Sequence, residues 1–522
     1  MDARAADHRQ VTATTFQSVL YRPDDAGDRE LSEPAFFTDL NLDQLVAQIT
    51  AACEGYDLAE FFYAPLHDAD AVAYRHEVVR DLQSDEICAA VKRFVTAMHE
   101  MRRQLELAGN LHTPLQRQRW FLAAVETYCR AVETFDRELN DVRPRSTALC
   151  GLAVHLASVA RSDAFRRLGS EMAPLLEDLA GVTYTVMLKG LQVTVDHFAG
   201  EVDLTEQIES TFERFREDAA ETHRWRFRDS ADANQVEARI LALVAELNPE
   251  LFDRLRSFCE RHQDYVDATL SRFEREVHFY LGYLDYVAPL ADAGVAICLP
   301  AVSAENKEVR AREGCDLVLA HKLAGDGVEL VVNDFDLYAA ERILVITGPN
   351  QGGKTTFSRM FGQLHHLAAL GLPVAAREAT LYLPDRVFCH FEREEQLSTL
   401  RSKFEDELVR IHQILNVATD RSILVMNESF SSTSAEDALR VGRQVLGRVI
   451  ERDMICVCVT FVDELSTLGE STVSMMSTVE ADDPTRRTYK VVRKPADGLA
   501  YAVALAQLHG LGYEQLTRRF AR

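Results

Sequence analysis

The sequence predicts an α + α/β fold, in which a mainly helical region is followed by an α/β region with a mostly parallel sheet. Residues 40–290 show helical periodicity, and few glycines or prolines interrupt it. After residue 296, short apolar runs alternate with segments of helical spacing, which is typical of buried parallel strands joined by helices. The clearest apolar runs cover residues 343–346, 422–428 and 455–460.

The composition indicates a globular protein of several domains. The 522 residues are enough for roughly two to four domains, and a chain that is 47% hydrophobic can bury several cores. No stretch is long and apolar enough to span a bilayer, and the first residues carry no signal-peptide core, so we expect a cytoplasmic protein without a membrane partner. Ten cysteines without a C-x-x-C pair indicate reduced thiols rather than a zinc site.

A glycine-rich loop follows the first apolar run. Residues 348–355 fit the phosphate-binding pattern G-x-x-x-x-G-K-[ST] at every fixed position, and read Gly348, Pro349, Asn350, Gln351, Gly352, Gly353, Lys354 and Thr355. The glycines let backbone N–H groups turn toward a triphosphate, Lys354 reaches its β- and γ-phosphates, and the Thr355 hydroxyl ligates Mg²⁺. The helical segment from Thr356 to Leu370 completes a strand–loop–helix unit. We therefore predict a site for ATP and Mg²⁺, which includes Thr356.

The apolar run 422–428 is the candidate second half of that site, on a neighbouring strand. It ends in Asn427 and Glu428, where ligands of open α/β sheets bind. We expect Glu428 to position the attacking water and Asn427 to assist the metal through water. Because an amide carries no negative charge, metal affinity and hydrolysis should both be reduced. A buried strand that happens to end in Asn-Glu is the alternative.

Several motifs in this part of the chain resemble those of the MutS family of ATPases, in family order over about residues 296–515. They are Val331-Val332-Asn333-Asp334, Thr347 through Thr355, Pro373-Val374-Ala375-Ala376, Glu428 with Thr433-Ser434 and Asp437, and Asp463-Glu464-Leu465. Ordered agreement of several motifs is more specific than any single one. The sequence departs from the family at Asn427, where the family has Asp, and at Phe461, where it has a His that senses the γ-phosphate.

The resemblance implies three regions and a dimer. The regions are an N-terminal extension at 1–40, a helical core and lever domain at 41–295 with a clamp insertion near 184–240, and a P-loop ATPase domain at 296–522. ATP would lie between two copies of the chain. The segment 400–408 resembles the family's signature segment, which would bring Ser402 and Glu407 to the partner's nucleotide. A solvated charged helix would have the same pattern.

A possible DNA contact lies within the helical half. One short run interleaves basic and aromatic residues, and its candidate members are Arg224, Trp225, Arg226 and Arg228. The alternative is a helix or loop edge whose arginines pair with Glu217, Asp218 and Glu221. The formal net charge of −25 argues against long-range attraction of DNA. No F-x-E motif occurs in residues 1–40, so we expect no mismatch wedge.

Local patterns in the helical half give four further predictions. Asp68 should cap the following helix, and Arg75 could be a surface residue, an ion-pair partner or a structural anchor. One long helix is predicted from Leu251 to Leu290, with His262 as a core histidine. Two alternating runs within residues 183–195 predict a hairpin.

Two functions fit these observations. The first is a MutS-like ATPase that acts in repair or recombination and closes on DNA as a homodimer. The lever-and-clamp pattern favours it. The alternative is a nucleotide-gated scaffold or assembly protein with slow ATP hydrolysis and no DNA binding, which Asn427, Phe461 and the net charge favour.

Overall fold

The computed structural model describes residues 16–23, 25, 32–53, 55–189, 192–200, 235–326, 330–392, 402–480 and 486–496. The chain forms two compact units, Met1–Phe16 with Asp81–Glu274 and Gln17–Arg80 with Arg275–Arg522. The predicted domain boundaries near residues 40 and 295 stay predictions. Within the described ranges no helix has the length and apolar character to cross a membrane, and none of the ten cysteines forms a disulfide.

Helices make up most of the N-terminal half. The α-helices, in chain order, are α1 (Leu42–Thr50), α2 (Ala59–Tyr63), α3 (Ala69–Leu82), α4 (Asp85–Asn110), α5 (Pro114–Val142), α6 (Thr147–Ala160), α7 (Asp163–Ala180), α8 (Gln235–Leu247), α9 (Pro249–Arg261), α10 (Ala268–Asp292), α11 (Leu317–Asp326), α12 (Lys354–Ala369), α13 (Lys403–Val417) and α14 (Ala435–Glu451). Single 3₁₀ turns cover Ala51–Cys53 and Asp463–Thr467.

Among the described residues, the strands lie in the second unit apart from one hairpin in the first. They are β1 (Tyr184–Lys189), β2 (Gln192–His197), β3 (Ala301–Ser303), β4 (Val309–Gly314), β5 (Asn333–Leu337), β6 (Ile343–Thr347), β7 (Glu378–Tyr382), β8 (Val387–Phe391), β9 (Ile423–Asn427), β10 (Ile455–Val459), β11 (Thr472–Val479) and β12 (Arg487–Arg493).

The first unit is built on the long helices α4 and α5, which pack along each other. Both carry an apolar stripe at helical spacing, and the stripes form an aromatic core. Phe94 stacks on Phe135 with ring centroids 4.5 Å apart, and Phe273 packs on Phe135 at 5.9 Å. The buried Glu274 carboxylate pairs with Arg102, which also donates to Ser271 Oγ at 3.0 Å.

The hairpin prediction is confirmed, because β1 and β2 pair antiparallel from Tyr184–His197 to Lys189–Gln192. The prediction of one helix from Leu251 to Leu290 is wrong, because α9 ends at Arg261 and α10 begins at Ala268. Asp267 causes the break. Its Oδ1 accepts the N–H groups of Thr269 and Leu270 at 3.0 and 2.9 Å and so caps a new helix.

His262 lies at the C-terminal end of α9. Its Nε2 is 3.0 Å from Glu171 Oε2, and its ring packs on Phe258. It is therefore a paired histidine, as predicted, but at the edge of the core.

A six-stranded sheet forms the centre of the second unit, in the order β12-β11-β6-β10-β9-β8. All neighbouring pairs are parallel except β11 and β12. The apolar runs of β6, β9 and β10 are buried along their whole length, as expected for strands covered on both faces. The prediction that β9 neighbours β6 is wrong, because β10 lies between them. A smaller sheet has the order β3-β7-β4-β5.

Helix α12 is buried on nearly every side, and contacts β7, β9, β10 and β12. Arg75 of α3 holds its C-terminal end. The Arg75 side chain is fully buried, its Nη1 donates to Leu370 O at 2.8 Å and its Nε donates to Leu20 O at 3.0 Å. Of the three alternatives for Arg75, the structure supports the structural anchor. Asp68 caps α3 as predicted, because its Oδ1 accepts the N–H of Asp70 at 3.2 Å.

Candidate functional site

The glycine-rich loop joins β6 to α12 through residues with positive φ. Gly348 has φ 113°, Gly353 has φ 90° and Gln351 has φ 59°. The loop also lies close to β11, since a Cβ on Gly348 would be 2.6 Å from Ser477 Oγ. Glycine is required at position 348 for both reasons.

Lys354 is the first residue of α12, and its ammonium group points back into the loop. Nζ donates to Gly348 O and Pro349 O, both at 3.0 Å, and lies 3.3 Å from Asn350 Oδ1. The side chain is only 3% exposed. Burial lowers the pKa of Lys354, while the negative charge of Glu428 acts to raise it. A bound phosphate would compete with the loop carbonyls for this ammonium group.

The first turn of α12 presents its backbone amides and two hydroxyls at the same place. Thr355 and Thr356 are half-buried, and Thr355 O accepts the Ser358 hydroxyl at 2.9 Å. The N-terminal amides of a helix lack partners within the helix and carry partial positive charge. The loop and the start of the helix therefore have the backbone arrangement of an anion-binding cradle, with Thr355 in the first turn of the helix.

The polar ends of β6, β10 and β9 lie at one edge of the sheet. In the register of the three strands, Val459 of β10 pairs with Ile346 on one side and with Asn427 on the other. Glu428 directly follows, with φ 53°, and its N–H donates to Val459 O at 3.0 Å. Asn427 and Glu428 are thus placed at the loop edge, one strand further away than predicted.

Buried oxygen atoms at this edge that have no hydrogen-bond partner among the described residues include Asn427 Oδ1, Thr347 Oγ1 and Ser477 Oγ. Asn427 is 7% exposed and Thr347 is 1% exposed. Oxygen donors of this kind suit Mg²⁺, which binds oxygen ligands and retains several waters. The residues present therefore fit a metal held by Thr355 and nucleotide phosphates, with Asn427 acting through water. The described part of the chain contains no cluster of three His, Cys, Asp or Glu residues that could hold a metal alone.

The loop after β9 is tied to α13 through Glu407. Glu407 Oε2 accepts the N–H of Phe430 at 3.0 Å and the Ser432 hydroxyl at 3.3 Å. The carboxylate is 3% exposed, and burial raises its pKa. His390 adds a second link, since its Nε2 donates to Glu407 O at 3.1 Å and its Nδ1 lies 2.7 Å from Ser429 Oγ.

Ser402 is the N-cap of α13, and its Oγ accepts the N–H of Glu405 at 3.3 Å. Its predicted contact with a partner's nucleotide stays a prediction. Glu407 holds the loop that follows Glu428 in its own chain, a role that the sequence reasoning missed. The four-residue spacing of Glu407 from the buried Ile411 and Leu415 indicates that it lies on the buried face of the helix, but it does not indicate which residue it contacts.

Strand β12 contributes residues that the sequence reasoning also missed. Arg487 Nε donates to Asn350 O at 3.2 Å. A Cβ on Gly353 would lie 3.2 Å from Tyr489 O, so β12 packs directly against the loop. Asn333, noted only for its motif, fixes this strand, because its Nδ2 donates to Tyr489 O at 3.2 Å and its Oδ1 accepts the Val491 N–H at 2.7 Å.

Two predicted features lie apart from these contacts. Phe461 follows β10 and is 47% exposed, so an apolar side chain faces solvent near the end of that strand. The candidate DNA residues Arg224, Trp225, Arg226 and Arg228 lie outside the described residues.

Comparisons with known proteins relate the chain to one family. The sequence profile of MutS domain V matches residues 344–518. The chain is 34% identical over 203 residues to "Endonuclease MutS2" of Thermus thermophilus, which covers 38% of this chain and 26% of that protein. It is 30% identical over 261 residues to "DNA mismatch repair protein MutS" of Granulibacter bethesdensis, covering 49% and 27%. For the protein of the same name from Syntrophobacter fumaroxidans, the identity is 30% over 283 residues, covering 52% and 30%. The chain thus spans less than a third of the length of each of these relatives.

Proposed function

This chain belongs to the MutS family, and on that premise we propose that it is a slow ATPase that closes as a homodimer on DNA in repair or recombination. The observation that carries the proposal is the meeting of Lys354, Asn427 and Glu428 at one edge of the parallel sheet. The charge of Glu428 acts on the Lys354 pKa, which supports their belonging to a single site. The relatives are mismatch repair and endonuclease proteins by name.

Each residue has a distinct role in the proposed reaction. Lys354 and the amides at the start of α12 bind the β- and γ-phosphates. The Thr355 hydroxyl and Asn427 would hold Mg²⁺, Asn427 through water, and the metal would neutralise charge on the phosphates. The Glu428 carboxylate accepts a hydrogen bond from the attacking water and aligns it with the γ-phosphorus. Hydrolysis is slow because Asn427 brings no charge to the metal.

The nucleotide part of the proposal is tested by Lys354→Ala. The variant removes the only loop side chain with a fixed positive charge, so ATP binding should be lost while the thermal transition is retained. Equilibrium binding of a fluorescent ATP analogue, with circular dichroism as the folding check, measures both. Unchanged ATP affinity would disprove the assignment of the site.

The DNA part is tested by titrating the homodimer with matched, mismatched and branched duplexes, with and without ATP, over a salt series. We expect contacts to phosphates to dominate, and therefore similar affinities for matched and mismatched duplexes and a steep loss with salt. Neutralising Arg224, Arg226 and Arg228 together should weaken binding to all substrates and flatten the salt slope. A matched control neutralises three exposed arginines of the first unit, Arg161, Arg166 and Arg167.

A second candidate function is a nucleotide-gated scaffold that binds a protein partner instead of DNA. The uncharged Asn427, the exposed Phe461 and the net charge of −25 favour it. It predicts an ATP-dependent dimer that binds none of the duplexes even at low salt. That result would replace the DNA-binding proposal.

A further inference from the structure

The N-terminal residue of β12 lies at the nucleotide edge of the sheet. Strands β11, β6, β10 and β9 are parallel and end at this edge, whereas β12 runs antiparallel to β11. Its first residue, Arg487, pairs in register with Val479 at the end of β11. Arg487 is therefore brought to the strand ends, where the glycine-rich loop begins.

The Arg487 guanidinium contacts the loop itself. Nε donates to Asn350 O at 3.2 Å, and Asn350 Oδ1 is 3.3 Å from Lys354 Nζ. Asn350 thus bridges the two cations. The backbone of β12 is also fixed there, because Asn333 binds both Tyr489 and Val491. The fold of β12 therefore fixes the backbone of Arg487 next to the loop.

Two positive charges close together in a partly buried site repel each other. Asn350 contacts both Arg487 and Lys354, so the two charges lie on either side of one loop residue. An anion that binds both groups relieves this repulsion, and a polyphosphate is the anion that the cradle is shaped to accept. The pair therefore favours a bound phosphate chain.

The end of β9 carries one negative charge fewer than a strand that ends in Asp-Glu. Asn427 is neutral, so Glu428 brings the one carboxylate of this residue pair. Lys354 and Arg487 bring two positive charges to the loop, and the neutral Asn427 adds no negative charge that would oppose the phosphates. A site with a second carboxylate in place of Asn427 would need the metal to offset that charge.

We propose that Arg487 binds the phosphates of the nucleotide and provides charge neutralisation that lets this chain bind ATP without a divalent cation. The inference rests on the proposed nucleotide site, and it adds a phosphate-binding residue and ATP binding that does not require the metal. Arg487 acts on binding, and the metal remains necessary for hydrolysis. A guanidinium group suits this role because it stays charged and can donate two hydrogen bonds to phosphate oxygens.

The test measures ATP affinity in Mg²⁺ and in EDTA for the unmutated protein, Arg487→Gln, Arg487→Lys and Arg486→Gln. Arg486 is the matched control, because it is adjacent and exposed but pairs with Glu480 at 3.2 Å. Arg487→Gln should lose at least about tenfold in EDTA, the value of one charge-assisted hydrogen bond, and clearly less in Mg²⁺. Arg487→Lys should retain most of the metal-free affinity, and Arg486→Gln should match the unmutated protein in both buffers.

Two results would overturn the inference, and they are distinguishable. If ATP binds and Lys354→Ala abolishes binding, but Arg487→Gln and Arg486→Gln have equal affinities in EDTA, the nucleotide site stands and the role of Arg487 is wrong. If the unmutated protein binds no ATP in either buffer, the nucleotide site and the inference fail together. Thermal unfolding of each variant checks the fold. If Arg487→Gln does not fold, the ATP affinity of Arg487→Lys in EDTA decides the test.

Discussion

The Glu407 carboxylate accepts the backbone N–H of Phe430, with Oε2 and N 3.0 Å apart. Phe430 has φ 65° and Glu428, two residues earlier, has φ 53°. Two non-glycine residues with positive φ in so short a segment represent backbone strain, which persists only if the surroundings hold it. Glu407 stabilises this backbone conformation from α13, the helix that Ser402 caps.

We predict that Glu407→Ala lowers the rate of ATP hydrolysis by about tenfold or more with little change in ATP affinity, because it displaces Glu428 and leaves the glycine-rich loop unchanged. Single-turnover hydrolysis and equilibrium binding measure the two quantities. Glu407→Gln retains an acceptor oxygen for Phe430 and should keep most of the rate. Glu405→Ala, at an exposed position of the same helix, is the matched control. A loss of affinity equal to the loss of rate would contradict the positioning role.

Arg75 gives a prediction about stability. Its guanidinium donates to Leu20 O and Leu370 O and lies over the rings of Tyr21 and Phe279 at 5.1 and 5.3 Å. Removing it leaves two buried carbonyls unpaired and a cavity, so Arg75→Ala should cost about 3–5 kcal/mol. Denaturant unfolding measures this cost. Arg80→Ala, at an exposed position on the same helix, should change stability by less than about 0.5 kcal/mol. Equal stability of the two variants would contradict the anchor.

The sequence was sufficient to locate the strands that carry the candidate site. The predicted runs 343–346, 422–428 and 455–460 agree with β6, β9 and β10 to within a residue or two. Their order in the sheet was not predictable in the same way. The sequence of a buried apolar strand does not indicate which strands will pair with it. The position of β10 between β6 and β9 therefore depends on how the connecting helices pack.

The contacts of Arg487 and Glu407 could not be predicted for a related reason. Arg487 follows the loop residue Asn350 by 137 positions, and Glu407 precedes Phe430 by 23. Neither pair shares a motif, and only the folded sheet brings the residues together. The helix break at Asp267 was missed because the apolar spacing continues across it, while the cap that causes it involves the side chain of a single residue.

Two buried histidines on α12 give a prediction about pH. His365 and His366 are 0% and 1% exposed, and burial lowers the pKa of each from 6.5 to about 4. Both are neutral in the folded protein, whereas in the unfolded chain they bind a proton below pH 6.5. Stability is therefore complete above about pH 6.5 and is lost as the pH falls toward 4, by up to about 3 kcal/mol for each histidine.

Thermal unfolding from about pH 7.5 to about pH 4 tests this pH dependence, because that range covers roughly the pKa values of the unfolded and the folded state. His366 Nε2 donates to Phe62 O at 2.9 Å, and glutamine retains a donor. His366→Gln should therefore reduce the loss of stability at low pH. His112→Gln, at an exposed position, should leave the curve unchanged. An equal loss of stability at low pH in both variants would show that other groups control acid unfolding.

A substitution at Asn427 distinguishes a slow ATPase from an inactive one. Its Oδ1 is buried at the strand ends and has no partner among the described residues. Asn427→Asp replaces this neutral oxygen by a carboxylate of nearly the same shape, so Mg²⁺ should bind more tightly and hydrolysis should accelerate. The Mg²⁺ concentration that gives half-maximal hydrolysis should fall by about tenfold, the effect of one added charge interaction of roughly 1.4 kcal/mol.

The same substitution also bears on Arg487. A carboxylate at position 427 adds a negative charge beside the phosphates, so Asn427→Asp should weaken ATP binding in EDTA while strengthening it in Mg²⁺. Hydrolysis at a series of Mg²⁺ concentrations and binding in the two buffers give both results from one protein preparation. Asn350→Asp is a useful contrast, because it adds the same charge beside Lys354, where it should compete with phosphate in either buffer. If Asn427→Asp hydrolyses ATP no faster at any Mg²⁺ concentration, the missing charge does not limit the reaction, and Phe461 becomes the next residue to exchange.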